Sequence, residues 1–201
     1  MNDADVVVFR YSGDEAIIPE ASNRPAFFTK EEAVRYIYYN QGGMAWNKLY
    51  RKAMLTGIRF ISGRYYEDGP FMTEVIRKME KVYFTESVLY HFCYRQDSIT
   101  HTARKEIAND YYEMSSLMSQ HLEELGFMDE AERSRLEFTW MFLVRYGRNV
   151  QYAQECMDFL RERKSRSFQG RKKWLHTILK ISPWEFDCIC VLWGRRMKLV
   201  D

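Results

Sequence analysis

Glycine and proline are scarce, 10 and 4 of 201 residues, too few for a collagen-like, linker-dominated or low-complexity chain. Cysteine is scarce as well. Cys93, Cys156, Cys188 and Cys190 include no C-x-x-C pair, which argues against a disulfide scaffold or a zinc ribbon and makes a reducing cytoplasm the expected compartment. Charge of one sign is missing: 30 Lys and Arg face 28 Asp and Glu, a net +2, so no overall field recruits nucleic acid and none is expected as a partner. Long apolar runs are missing too. The longest, Cys188 to Trp193, is far short of the ~20 residues that cross a bilayer.

What is present is apolar and aromatic side chain, 46% and 16% of the sequence, on a chain long enough to bury a real core. Asp5-Val6-Val7-Val8-Phe9 is a β-branched run that reads as a buried strand. Thr29-Lys30-Glu31-Glu32 has the form of a capping box and predicts a helix running to about Asn40. Asp68-Gly69-Pro70 opens another helix, with Phe71, Val75, Ile76 and Met79 as its inner face. Two strand-like runs follow, Val82-Tyr83-Phe84 and Val88 through Tyr94.

Beyond Thr100 the period changes. Ile107, Tyr111, Met114, Met118, His121 and Leu125 step by three and four along one helical stripe that Gly126 ends. A second stripe takes Leu136, Trp140, Leu143, Gly147, Val150, Gln154 and Met157, and the two predict an antiparallel pair. Ser182-Pro183-Trp184-Glu185 signals a last helix. The expected organisation is residues 1–99 as mixed α/β and 100–201 as an all-helical region.

Ala45-Trp46-Asn47-Lys48-Leu49-Tyr50-Arg51-Lys52, then Ile58-Arg59-Phe60, Tyr66-Glu67-Asp68, and Leu89-Tyr90 through Arg95 to Ser98-Ile99 stand in an order and spacing that resemble the later half of a family 2 glycosyltransferase of GT-A fold. The resemblance covers roughly residues 1–100. It implies a partial GT-A-like mixed sheet with flanking helices, followed by a helical appendage. It also implies transfer of a sugar from a nucleotide donor to an acceptor hydroxyl with inversion at the anomeric carbon.

Such an attack needs a carboxylate to take the hydroxyl proton. Asp68, in the Glu67-Asp68 pair, matches the family's base, although the same residues read on their own as an ordinary helix cap. Trp46, Asn47 and Lys48 fall on the acceptor side by resemblance, with a core Trp and surface polar neighbours as the plain alternative. Arg95 and Ser98 fall where the family ends an Arg-rich strand, and a guanidinium suits a diphosphate. Cys93 departs from that pattern, and His91 reads as a structural histidine.

The family's complete enzymes imply Mg²⁺ or Mn²⁺ on paired aspartates at the end of a strand. Asp3-Ala4-Asp5 precedes its strand, so no metal site and no cofactor are expected in this chain. The resemblance thus implies an acceptor-side portion without the nucleotide-binding half, a fragment or remnant inactive alone. Its partners would be a nucleotide sugar and a glycan acceptor once completed. The Val6–Phe9 strand would then lie at an open sheet edge, available for self-association. Arg161, Arg163, Lys164, Arg166, Arg171, Lys172 and Lys173 beside Trp174 form a basic stretch, 161–174, that suits a peripheral membrane surface. The alternative function is a non-catalytic binding or assembly module with a helical, basic, membrane-proximal C-terminal region.

Overall fold

The structure, a computed structural model, describes residues 3–13, 26–38, 43–93 and 107–163, with short pieces at 177–179, 182, 185–186, 188–189 and 192. It is mixed α/β and divides into two compact units. One is Met1–Arg95 with Leu117–Glu132; the other is Gln96–Ser116 with Arg133–Asp201. The division passes through two long helices.

The first unit holds a four-stranded mixed sheet. Its strands are β1 (Val6–Gly13), β2 (Ala26–Phe28), β3 (Lys48–Tyr50) and β4 (Val82–Phe92), in the order β2-β4-β1-β3. β1 runs parallel to β4, with Val6 opposite Val82 and Val8 opposite Phe84, and antiparallel to β3, with Val6 opposite Tyr50 and Val8 opposite Lys48. The Val6–Val8 run is therefore internal and not at an open edge. Its β-branched residues take the interior place because Val6 and Val8 are fully buried, as strands covered by neighbours and helices require.

Helices α1 (Lys30–Tyr36) and α2 (Asp68–Lys78) supply the cover. The predicted capping box is formed: Glu32 N–H donates to Thr29 Oγ1 at 3.3 Å, and Thr29 N–H donates to Glu32 Oε2 at 2.9 Å. Phe71, Val75, Ile76 and Met79 are all buried, in one core with Val6, Val8, Val82 and Phe84. On the sheet's other face the register lines up Leu49, Val7, Tyr83 and Phe27. Leu49 and Phe27 are more than half exposed there.

The two runs at 82–84 and 88–94 join into the single strand β4, whose pairing with β1 slips between Val8 and Arg10 and again between Arg10 and Tyr11. Slippage of this kind absorbs the polar Thr85-Glu86-Ser87 without ending the strand.

Helices α3 (Ala108–Glu124) and α4 (Met128–Tyr146) meet at Gly126, whose φ of +86° favours a residue without Cβ. Gly126 N–H donates to the Glu123 carbonyl and Phe127 N–H to the Leu122 carbonyl, both at 2.9 Å, a Schellman stop. In the second unit, Tyr111 packs on Phe142 and Tyr146, and Tyr112 on Phe138 and Phe142, as in an antiparallel pair. The stripe from Leu136 to Met157 is not one helix. α4 ends ahead of Gly147, at φ +67°, and α5 (Ala153–Glu162) begins after Tyr152, also at φ +67°. Two left-handed positions interrupt a helix however regular the apolar spacing remains.

Of the final helix, Phe186 is buried against Trp140, and its N–H donates to the Ser182 carbonyl at 3.1 Å, in keeping with Ser182 as cap. No helix among the described residues is long and apolar enough to cross a membrane.

Candidate functional site

The site is built where two distant sequence motifs meet. Asp68 is the first residue of α2, and the capping position before it is Glu67, whose side chain makes no capping bond. Asp68 does not cap either. Its Oδ2 accepts the Ala45 N–H at 3.0 Å, joining the Glu67-Asp68 pair to the Ala45-Trp46-Asn47-Lys48 segment. Tyr66, just ahead of this pair, holds φ at +62°, a conformation that costs a non-glycine residue roughly 1–3 kcal/mol and is commonest at functional positions.

Strand alternation decides what the 45–50 segment does with its side chains. Lys48 and Tyr50 stand opposite Val8 and Val6 on the inner face, while Leu49 stands opposite Val7 on the outer. Lys48 is therefore only 4% exposed, which overturns its reading as a surface residue. Its Nζ donates to the Met44 carbonyl at 2.5 Å and to Asn47 Oδ1 at 2.6 Å. Burial pushes its pKa down to about 7, against the opposing pull of the Asp68 charge. Asn47 is fully buried. Tyr50 Oη donates to the Ala45 carbonyl at 2.8 Å, and burial together with the Asp68 charge raises its phenol well above the ordinary value.

Trp46 has its ring occupied. Tyr11 meets it edge-on at 4.6 Å, Tyr90 lies at 4.8 Å and Phe92 is stacked at 5.7 Å. Tyr90 is the exposed ring of this group. Beside it, Ser12 Oγ and His91 Nδ1 are 3.0 Å apart, which ties His91 to β1. Arg95 and Ser98, and residues 164–174 of the basic stretch, lie outside the described residues.

The two aspartates of the Asp3-Ala4-Asp5 run are engaged by the protein itself. Asp3 is paired with Lys81. Asp5 accepts the Glu80 and Lys81 N–H groups, both at 3.0 Å, and pairs with Arg51 at 3.4 Å. Burial alone would raise the Asp5 pKa, but these donors outweigh it and hold the carboxyl low. Among the described residues no three His, Cys, Asp or Glu side chains gather as a metal site would need.

Sequence reasoning passes over two parts of this site, Tyr50 and the Met44–Ala45 peptide. The signal for the first is parity. Once Val6 and Val8 face inward, an antiparallel partner must send alternate residues in with them. Nothing in the sequence marks a backbone group as a ligand to Asp68.

No family model matches the chain, and no curated protein matches it. Among solved structures it is similar to residues 1–349 of S. aureus TarS, a glycosyltransferase, at 15% identity and a TM-score of 0.44. The match covers 98% of this chain and 55% of that one, so the chain spans about half the length of that structure.

Proposed function

We propose that this chain carries the acceptor side of an inverting, GT-A-like glycosyltransferase with Asp68 as general base. The observation that carries the reading is the Ala45 N–H bond to Asp68 Oδ2. It supports treating the Trp46-Asn47-Lys48 and Glu67-Asp68 motifs as one site, a junction that a solvated helix cap does not need. In the reaction, an Asp68 oxygen takes the proton of the acceptor hydroxyl as that oxygen bonds to the anomeric carbon. The bond from that carbon to the nucleoside diphosphate breaks on the opposite side, and its electron pair leaves with the diphosphate. The nucleotide is held by protein outside the described residues, where the resemblance also implies the Mg²⁺ or Mn²⁺ of the complete enzyme.

Asn47 and Lys48, being buried, shape the acceptor side from within. Tyr90, the exposed ring beside Trp46, offers the stacking surface for a sugar ring. Glu67, at the capping position of α2, is the second carboxylate of the pair. Arg95 and Ser98 stay with the diphosphate side by resemblance.

The test is transfer by this chain supplemented with a polypeptide carrying a nucleotide-binding half. Asp68→Asn is expected to lower kcat by about 10²–10⁴-fold while leaving acceptor binding in place, read as a glycan-dependent rise in Tm. Unchanged transfer by the variant would remove Asp68 from the role. One observation favours the second reading, a binding or assembly module: the outward row Leu49, Val7, Tyr83 and Phe27. A Tm insensitive to every glycan and nucleotide sugar, with or without Mn²⁺, would favour that module.

A further inference from the structure

The Lys48 amine and the Asp68 carboxylate are attached to opposite ends of one peptide group. Lys48 Nζ donates to the Met44 carbonyl at 2.5 Å, and the N–H of that same Met44–Ala45 peptide donates to Asp68 Oδ2 at 3.0 Å. The next carbonyl, that of Ala45, is fixed by Tyr50 Oη at 2.8 Å. Asn47 Oδ1 takes a second N–H of the amine at 2.6 Å, so Lys48 is held at both its acceptors inside the protein.

We propose that Lys48 is a positioning residue for Asp68 and acts through the Met44–Ala45 peptide as a relay. Its grip on the carbonyl fixes the plane and the polarity of the N–H that orients the carboxylate. Consecutive hydrogen bonds polarise one another, more so away from water. A charged amine on the carbonyl therefore makes the Ala45 N–H a stronger donor than a neutral amine does. The charge acting on Lys48 is that of Asp68 from α2, which also acts on Tyr50 of β3, and burial brings the Lys48 pKa to about 7. Donor strength at Asp68 then changes near neutral pH, while the bonds themselves persist, because a neutral amine keeps two N–H donors.

The catalytic meaning of the relay rests on Asp68 as the base, but the test does not use transfer, so the two readings fail separately. In the isotope-labelled chain, the Ala45 amide resonance is expected to titrate with the same midpoint as Lys48 Nζ, near pH 7. In Lys48→Met that inflection disappears and Ala45 exchanges its amide hydrogen about tenfold faster or more, while the Val75 and Ile76 amides keep their protection. An Ala45 resonance that ignores the Lys48 titration in the unmodified chain overturns the relay, even where the variant does not fold. So does unchanged Ala45 exchange in a folded variant.

Discussion

The two compact units bury their polar groups in different ways. The core of the first is largely aliphatic, with Val6, Val34, Ile37, Met72, Val75, Ile76 and Met79 at or near full burial. Asn47, Lys48 and Thr73 are shut inside that unit. The core of the second sets the rings of Trp140, Phe142, Tyr146 and Phe186 among aliphatic residues such as Leu143, Val144 and Leu160, with Tyr112 stacked on Tyr152 at 4.3 Å. There the phenols reach carboxylates, Tyr112 Oη donating to Glu155 at 2.9 Å and Tyr152 Oη to Glu113 at 2.8 Å. A ring with a polar tip can be buried and still satisfied at its rim. An amine enclosed among aliphatic residues has only internal partners, and its proton affinity shifts. The unit with the buried amine is the one where chemistry is expected.

Core truncation should separate the units most strongly. Phe142→Ala is expected to cost about 3–5 kcal/mol and Ile76→Ala about 2–4 kcal/mol, measured by urea unfolding with resonances of each unit followed separately. A larger loss from Ile76→Ala would break the contrast between the ring-bearing core and the more aliphatic one.

The pH dependence is the next largest effect. The folded pKa of Lys48 lies near 7, below its ordinary 10.5, so the unfolded chain binds more protons between those values. Stability of the first unit should therefore rise from pH 7 to 9, by at most about 1.4 kcal/mol per pH unit. Cys156 in the second unit behaves oppositely. Burial raises its thiol to about 12 from 9.0, and burial with the Glu155 bond raises Tyr112 to about 12 from 10.0. The second unit should show no comparable rise from 7 to 9 and should lose stability above about pH 9. Lys48→Met should remove the rise in the first unit and leave the second unchanged.

The smallest effect sharpens the account of the first unit's edges. Thr29→Ala should cost about 1 kcal/mol and leave the second unit's transition unmoved.

Local signals were legible where one segment decides its own structure. Thr29 with Glu32, the α2 stripe and Gly126 are all satisfied by bonds or burial within a few turns. The position of β1 was not legible, because sheet order depends on partners 40 and more residues away. The Leu136–Met157 stripe misled for a related reason: apolar spacing reports which face is buried, not whether the backbone continues through Gly147. At the site, Asp68 and the Trp46-Asn47-Lys48 segment were visible as residues. Their junction was not, since it runs through a peptide N–H that any residue but proline could supply. The inward turn of Lys48 and outward turn of Leu49 reverse what hydropathy alone assigns to each. Only the register with Val6 and Val8 fixes it.

Strand β1 is made before every element that flanks it, yet Val6 pairs with Val82 and with Tyr50. While the chain is being synthesised, a β-branched segment must wait, with β3 as its only available strand partner, until β4 has been made. Parallel pairing at such separation closes slowly, since the loop entropy is lost before the contacts form. The interval before β4 appears is the period when the nascent chain is most open to wrong pairing. Slowing translation between β3 and β4 should therefore lower the soluble yield more than slowing it after residue 92.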